Sequence, residues 1–175
     1  MRLFIALSFH RQFLSELVEI QKYFEIFDDD CRMSSIDNLH LTLCFLGEQD
    51  DLSFLNDLKK INASSITLET DKLMFFHAEK KNKVLVMKMK DNQQLTKLVD
   101  EIYEVLKKHN ITFDEKPFVP HITLARKYKG ELKDSGSSFV ISKEKIDSFS
   151  LYQSILENGK EPVYNVLETF HLSED

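Results

Sequence analysis

The chain has 175 residues, 42% of them hydrophobic and 30% charged, a soluble balance that fits one domain or two small lobes sharing a core. A formal net charge of −6 and a pI near 5.5 exclude a protein that coats long nucleic acid through its overall field, but leave room for a site that grips one or two phosphates by local charge. No apolar run approaches the ~18 residues of a membrane span. The two cysteines, Cys31 and Cys44, show neither metal spacing nor a C-x-x-C pair, so a cytoplasmic, reducing setting is expected.

The first apolar run, Leu3 to Leu7, is too short for a signal segment and reads as a strand over residues 2–9. An amphipathic helix follows, carried by Leu14, Leu17, Val18 and Phe24. Asp28-Asp29-Asp30 reads as a solvated loop, without the D-x-D-x-D-G spacing of a calcium loop. A short apolar strand is expected at 40–46, a weaker helix around 51–61, and a strand near 65–76. Residues 83–90 read as another strand. Asp91 or Asn92 then caps a second helix whose Leu95, Leu98, Val99, Ile102 and Leu106 form one stripe. Residues 121–126, 138–141, 145–153 and 163–171 complete the expected strands.

The two halves repeat. His40-Leu41-Thr42-Leu43 lies over His121-Ile122-Thr123-Leu124 at an offset of 81 residues (121 − 40). Without gaps, that offset also lays Leu3-Phe4-Ile5 on Val84-Leu85-Val86, Leu14 on Leu95, Leu17 on Leu98 and Val18 on Val99. The expected fold is therefore α+β. It is one bilobal domain over residues 1–175, with lobes of roughly 1–80 and 81–160 related by a pseudo-twofold. Each lobe is a mainly antiparallel sheet with outer helices, and a groove runs between them.

In a strand, residues i and i+2 share a face. His40 and Thr42 then point one way, as do His121 and Thr123, and a pseudo-twofold lets the pairs face each other. Two imidazoles with an ordinary pKa of ~6.5 can hold one proton between them near neutrality. One can take a proton from water while the other gives one to a leaving oxygen. Thr42 and Thr123 can donate hydrogen bonds to phosphate oxygens, and Arg126, five residues after His121, can add a charge-assisted contact. The arrangement is symmetric and does not say which histidine is the acid. It requires no metal and no other cofactor. A lone H-x-T-L is a weak signal. Two of six histidines carrying it by chance is expected on the order of once in a few thousand such chains. His10, His77, His109 and His171 are assigned surface or capping roles, and Cys44 a small buried one. Phe9, Phe45 and Phe118 could stack on a base, but core packing is the expectation for each.

Met1-Arg2-Leu3-Phe4-Ile5-Ala6, Asn38 to Gly47 and Pro120 to Arg126 resemble the two-histidine phosphoesterase superfamily, and within it the RNA 2′,3′-cyclic phosphodiesterases long called 2′-5′ RNA ligases. Leu151-Tyr152-Gln153-Ser154, Gly159 and Tyr164 resemble that family's closing pattern. The resemblance implies hydrolysis of a 2′,3′-cyclic phosphate to a 2′-phosphate. It implies His40 as proton donor to the 3′ oxygen and His121 as the base. Some relatives run the reverse chemistry and join RNA ends. The expected partners are RNA 3′ ends or nucleotides bearing a 2′,3′-cyclic phosphate. No membrane partner is expected, and the protein should be a monomer. Cys44 stands where Lys or another residue is commoner, and a regular strand is expected to turn it away from His40. Three alternatives stay open: a relative acting on another 2′-5′ or cyclic diester, an RNA-end binding module without turnover, and a two-histidine metal hydrolase.

Overall fold

The computed structural model describes residues 1–77, 82–132, 139 and 141–174. Its elements run β1 (Arg2–Leu7), α1 (Arg11–Glu25), β2 (Arg32–Met33), β3 (Leu41–Glu48), α2 (Leu55–Lys59), β4 (Ile66–Leu68), β5 (Thr70–Phe76), β6 (Lys83–Met89), α3 (Gln93–Lys108), β7 (His121–Tyr128), β8 (Glu144–Ile146), β9 (Ser148–Ile155) and β10 (Val163–His171). Two four-stranded sheets form, in the orders β10-β9-β1-β3 and β2-β7-β6-β5, with β4–β8 as a separate ladder. Every pairing of these strands is antiparallel. This is the expected α+β class. The sheets are assembled across the sequence repeat, since β9 and β10 join β1 and β3, while β2 joins the sheet of the second half.

The repeated units are β1-α1-β3 and β6-α3-β7. Helix α3 buries the expected stripe of Leu95, Leu98, Val99, Ile102 and Leu106, and Asn92 caps it by accepting from the Leu95 amide at 3.0 Å. Helix α1 is rotated from the expectation. It buries Phe13, Leu17, Ile20, Gln21 and Phe24, leaving Leu14 and Val18 half-buried. Leu17 and Phe24 are buried as expected, but Phe13 and Ile20 take the core positions expected of Leu14 and Val18. The helix expected at 51–61 shrinks to α2, and the run expected at 65–76 divides into β4 and β5. The strand expected at 138–141 falls partly outside the described residues, and Phe139 and Ile141 lie in no strand. Among the described residues no helix is long and apolar enough to cross a membrane.

Both motif strands carry a bulge at the same repeat position. On β3, Ile5 pairs with Cys44 and Ala6 with Thr42, so Leu43 is an extra residue. On β7, Leu85 pairs with Ala125 and Val86 with Thr123, so Leu124 is extra. An extra residue reverses the in–out alternation beyond it. An unbroken strand would turn Cys44 toward His40, contrary to the expectation drawn from regularity. The bulge turns Cys44 into the core instead and sends Phe45 outward.

The Leu124 carbonyl freed by its bulge is not left bare. It accepts from the Ser34 amide at 2.9 Å and from the side-chain amide of Gln21 at 2.9 Å. Gln21 is 6% exposed and also donates to the Ser34 carbonyl at 2.8 Å. One buried amide thus ties α1 to β7 across the two halves. Gln21→Met, which keeps the volume but removes both donors, should destabilise the fold by about 1–3 kcal/mol, measurable by denaturant unfolding. A change within error would mean that the two carbonyls do not need this partner.

Candidate active site

Strands β3 and β7 lie against each other, and their motif residues line one cavity of about 880 Å³. His40, Thr42, His121, Thr123 and Arg126, all singled out from the sequence, are brought together there. Phe45 and Phe118 line it too. Phe45 is 52% exposed, which corrects the expectation of core packing; its rotation past the Leu43 bulge is the cause. Phe9 stays out of the cavity and packs against Phe13 at 5.0 Å.

The two imidazoles are held alike. His40 Nδ1 lies 2.7 Å from the Asn38 carbonyl oxygen, and His121 Nδ1 lies 2.7 Å from that of Val119. A carbonyl only accepts, so Nδ1 carries the hydrogen in each ring. That fixes the tautomer and leaves Nε2 as the nitrogen that gains or loses a proton. In its neutral form His40 Nε2 accepts from the Thr42 hydroxyl at 2.9 Å. Burial pushes both histidines below their ordinary 6.5, against the backbone carbonyls, which pull them up; the Arg126 guanidinium adds to the lowering in each. His121 lowers His40 further.

The surroundings break the symmetry. His40 touches Phe4 (5.2 Å between ring centroids) and meets Tyr164 edge-on at 5.2 Å. His121 meets Phe76 edge-on at 4.7 Å. Asn38 does double duty. Its carbonyl holds His40 while its side-chain amide donates to Glu161 Oε1 at 3.0 Å and to the Pro162 carbonyl at 2.7 Å. Glu161 also accepts from the Ser35 amide at 2.9 Å. The equivalent of Asn38 in the second half is Val119, which has no side-chain donor. Sequence reasoning missed this clamp and the rings of Phe4 and Phe76. The Asn/Val asymmetry was visible, but nothing in the sequence placed residues 161–162 beside it.

The cysteines are free. Burial pushes the Cys44 thiol up to about 12; burial and the neighbouring carboxylates of Asp28 and Glu25 push Cys31 up to about 11. Neither is a nucleophile at neutral pH. His10 stands at the start of α1 with its ring on Glu144 at 3.2 Å, and His109 ends α3 with Nε2 on Asp57 at 2.7 Å, so both rings bind carboxylates and the His10 side chain makes no hydrogen bond to the helix end. His77 takes a left-handed backbone (φ 58°) and lines the cavity rim. Among the described residues no three His, Cys, Asp or Glu side chains are gathered as a metal site.

The sequence profile of the 2′-5′ RNA ligase superfamily matches residues 27–134. The chain belongs to this superfamily. It is 29% identical over 176 residues to the RNA 2′,3′-cyclic phosphodiesterase of Thermotoga maritima, covering 95% of this chain and 93% of that one. It is 31% identical to the protein of the same name from Archaeoglobus fulgidus, covering 77% and 80%. In structure it resembles TT0787 of Thermus thermophilus with a TM-score of 0.84, 27% identity and full coverage of both chains. It shares the fold of E. coli LigT crystallised with 3′-AMP (TM-score 0.82, 23% identity, 99% and 98% coverage). The paired H-x-T-L motifs are thus found in a superfamily member with the fold of that superfamily.

Because both rings lie below 6.5, the neutral forms are favoured in the fold. The stability they contribute is present above the ordinary histidine value and is lost as pH falls through the lowered ones. Nitrogen-15 NMR of the ligand-free protein should show both rings as Nδ1–H tautomers at pH 7, titrating below 6.5. An Nε2–H signal from either would contradict the carbonyl contacts.

Proposed function

We propose that this protein hydrolyses the 2′,3′-cyclic phosphate at RNA ends, or on nucleotides, to a 2′-phosphomonoester, without a metal. The observation that carries this is the matched pair of imidazoles, each with Nδ1 committed to a backbone carbonyl two residues upstream. Each Nε2 is thereby left to exchange protons in one shared cavity. The relatives named RNA 2′,3′-cyclic phosphodiesterase support the choice of substrate.

In the proposed reaction His121 Nε2 takes a proton from water as the water oxygen bonds to phosphorus. His40, protonated at Nε2, gives its proton to the 3′ oxygen as the P–O3′ bond breaks. The product carries a 2′-phosphate and a free 3′ hydroxyl, and the proton returns from His121 to His40 through solvent. The direction of transfer follows the family resemblance. Thr42, Thr123 and Arg126 meet the non-bridging oxygens, where negative charge builds. On protonation of His40, Nε2 no longer accepts, and the Thr42 hydroxyl is released to the phosphate. Acid and base are both imidazoles, so the step asks for no Lewis acid. Burial lowers both rings in the free protein, and the negative charge of the bound phosphate raises them again.

Purified protein should convert adenosine 2′,3′-cyclic phosphate to the 2′-phosphate with EDTA present. A 3′-phosphate product would reverse the assignment of the leaving oxygen; loss of activity to EDTA would overturn the metal-free mechanism. His40→Ala and His121→Ala should each cost about 10²–10⁴-fold in kcat, and near-full activity in both would sink the assignment. Thr42→Ala and Thr123→Ala should each cost less, about 10–10²-fold. The profile of kcat/KM should be a bell centred below pH 6.5, because both free-enzyme rings are lowered, with the kcat bell displaced upward. A flat profile between pH 5 and 8 would refute the acid/base pair.

A further inference from the structure

Strand β2 is two residues long and sits at the edge of its sheet, beside β7. Its register sets Arg32 directly opposite Arg126. Cross-strand partners share a face, and like charges so placed repel. Four cations line the cavity: Arg32, Lys116, Arg126 and Lys160. Lys116 is paired with Asp114 at 3.2 Å and Lys160 with Glu157 at 3.1 Å. Neither arginine forms an ion pair among the described residues. The acidic run just before Arg32 offers no relief from Asp28, whose carboxylate accepts from the backbone amides of Asp30 at 3.1 Å and Lys129 at 2.6 Å.

Arg126 is the arginine whose charge reaches both imidazoles. Arg32 stands one strand further from β6, on the outer edge. In a chain of net charge −6, two adjacent guanidiniums without counterions are a local attractor for anions. A second phosphate beside the first would give each guanidinium its own anion.

We propose that Arg32 holds a second phosphate, the one on the 5′ side of the nucleotide whose 2′ phosphate meets Arg126. Neighbouring strands about 4.8 Å apart put the two guanidiniums within reach of phosphates on either side of one ribose. The second phosphate is either a 5′ monoester or the diester to the preceding nucleotide. The inference rests on the proposed function only in taking Arg126 as the contact of the reacting phosphate.

Calorimetric binding tests it without turnover. Adenosine 2′-phosphate is compared with adenosine 2′,5′-bisphosphate on the wild type, Arg32→Ala and Arg32→Lys. The bisphosphate should bind the wild type about tenfold tighter. That advantage should vanish in Arg32→Ala and survive in large part in Arg32→Lys, which keeps the charge without the bidentate fork. A dinucleotide ending in the same 2′-phosphate distinguishes the sources: an equal advantage assigns the subsite to the diester of an RNA chain, and none assigns it to a 5′ monoester. No advantage in the wild type, or the same advantage in Arg32→Ala, overturns the proposal. Arg32 is exposed, and a retained melting temperature separates lost binding from lost fold. Failure of cyclic-phosphate hydrolysis alongside an Arg32-dependent advantage would overturn the proposed function and leave this subsite standing.

Discussion

One extra residue in each motif strand decides which side chains reach the groove. Leu43 and Leu124 are inserted opposite the Ile5–Ala6 and Leu85–Val86 steps. Up to that point the alternation is regular, so His and Thr share the groove face and Leu41 and Ile122 the core. Beyond it the parity changes. Cys44 and Ala125 enter the core, and Phe45 and Arg126 stand out from it. Five residues after a histidine, a regular strand would aim a side chain at the opposite face. Arg126 reaches the cavity because the strand is not regular. The same insertion in both halves alters alike what each strand presents.

The symmetry stops at the next layer. Each ring has the same Nδ1 contact, but only His40 is backed by the Asn38–Glu161 clamp and by Tyr164. Glu161 and Tyr164 belong to the loop and opening strand of the C-terminal hairpin of β9 and β10, which joins one sheet alone. A repeated frame gives two similarly held histidines, and their neighbours are what distinguish them. In the proposed reaction a bound phosphate brings negative charge beside the rings and favours the proton one of them must hold.

Charge tells the same story on a larger scale. The chain is acidic overall, and cavity lysines are matched with carboxylates. The cavity's arginines stand together on the β2–β7 edge, where the proposed phosphate contacts lie.

The strand–helix–strand repeat, the two His-Thr pairs, the α3 stripe and a cap at Asp91 or Asn92 were legible in the residues alone. These depend on local period and short-range hydrogen bonding, which survive in any context. The sequence left open which face α1 buries, because an offset taken from α3 put Leu14 and Val18 in the stripe and passed over Phe13 and Ile20. It could not determine that Phe45 is exposed, since a bulge leaves no mark in composition. Nor could it join Asn38 to Glu161 or Arg32 to Arg126, contacts separated by 123 residues in the first case and by a strand pairing in the second. Those were decided by the tertiary structure, because register between distant strands is set by the packing of whole sheets and not by any residue's own neighbours.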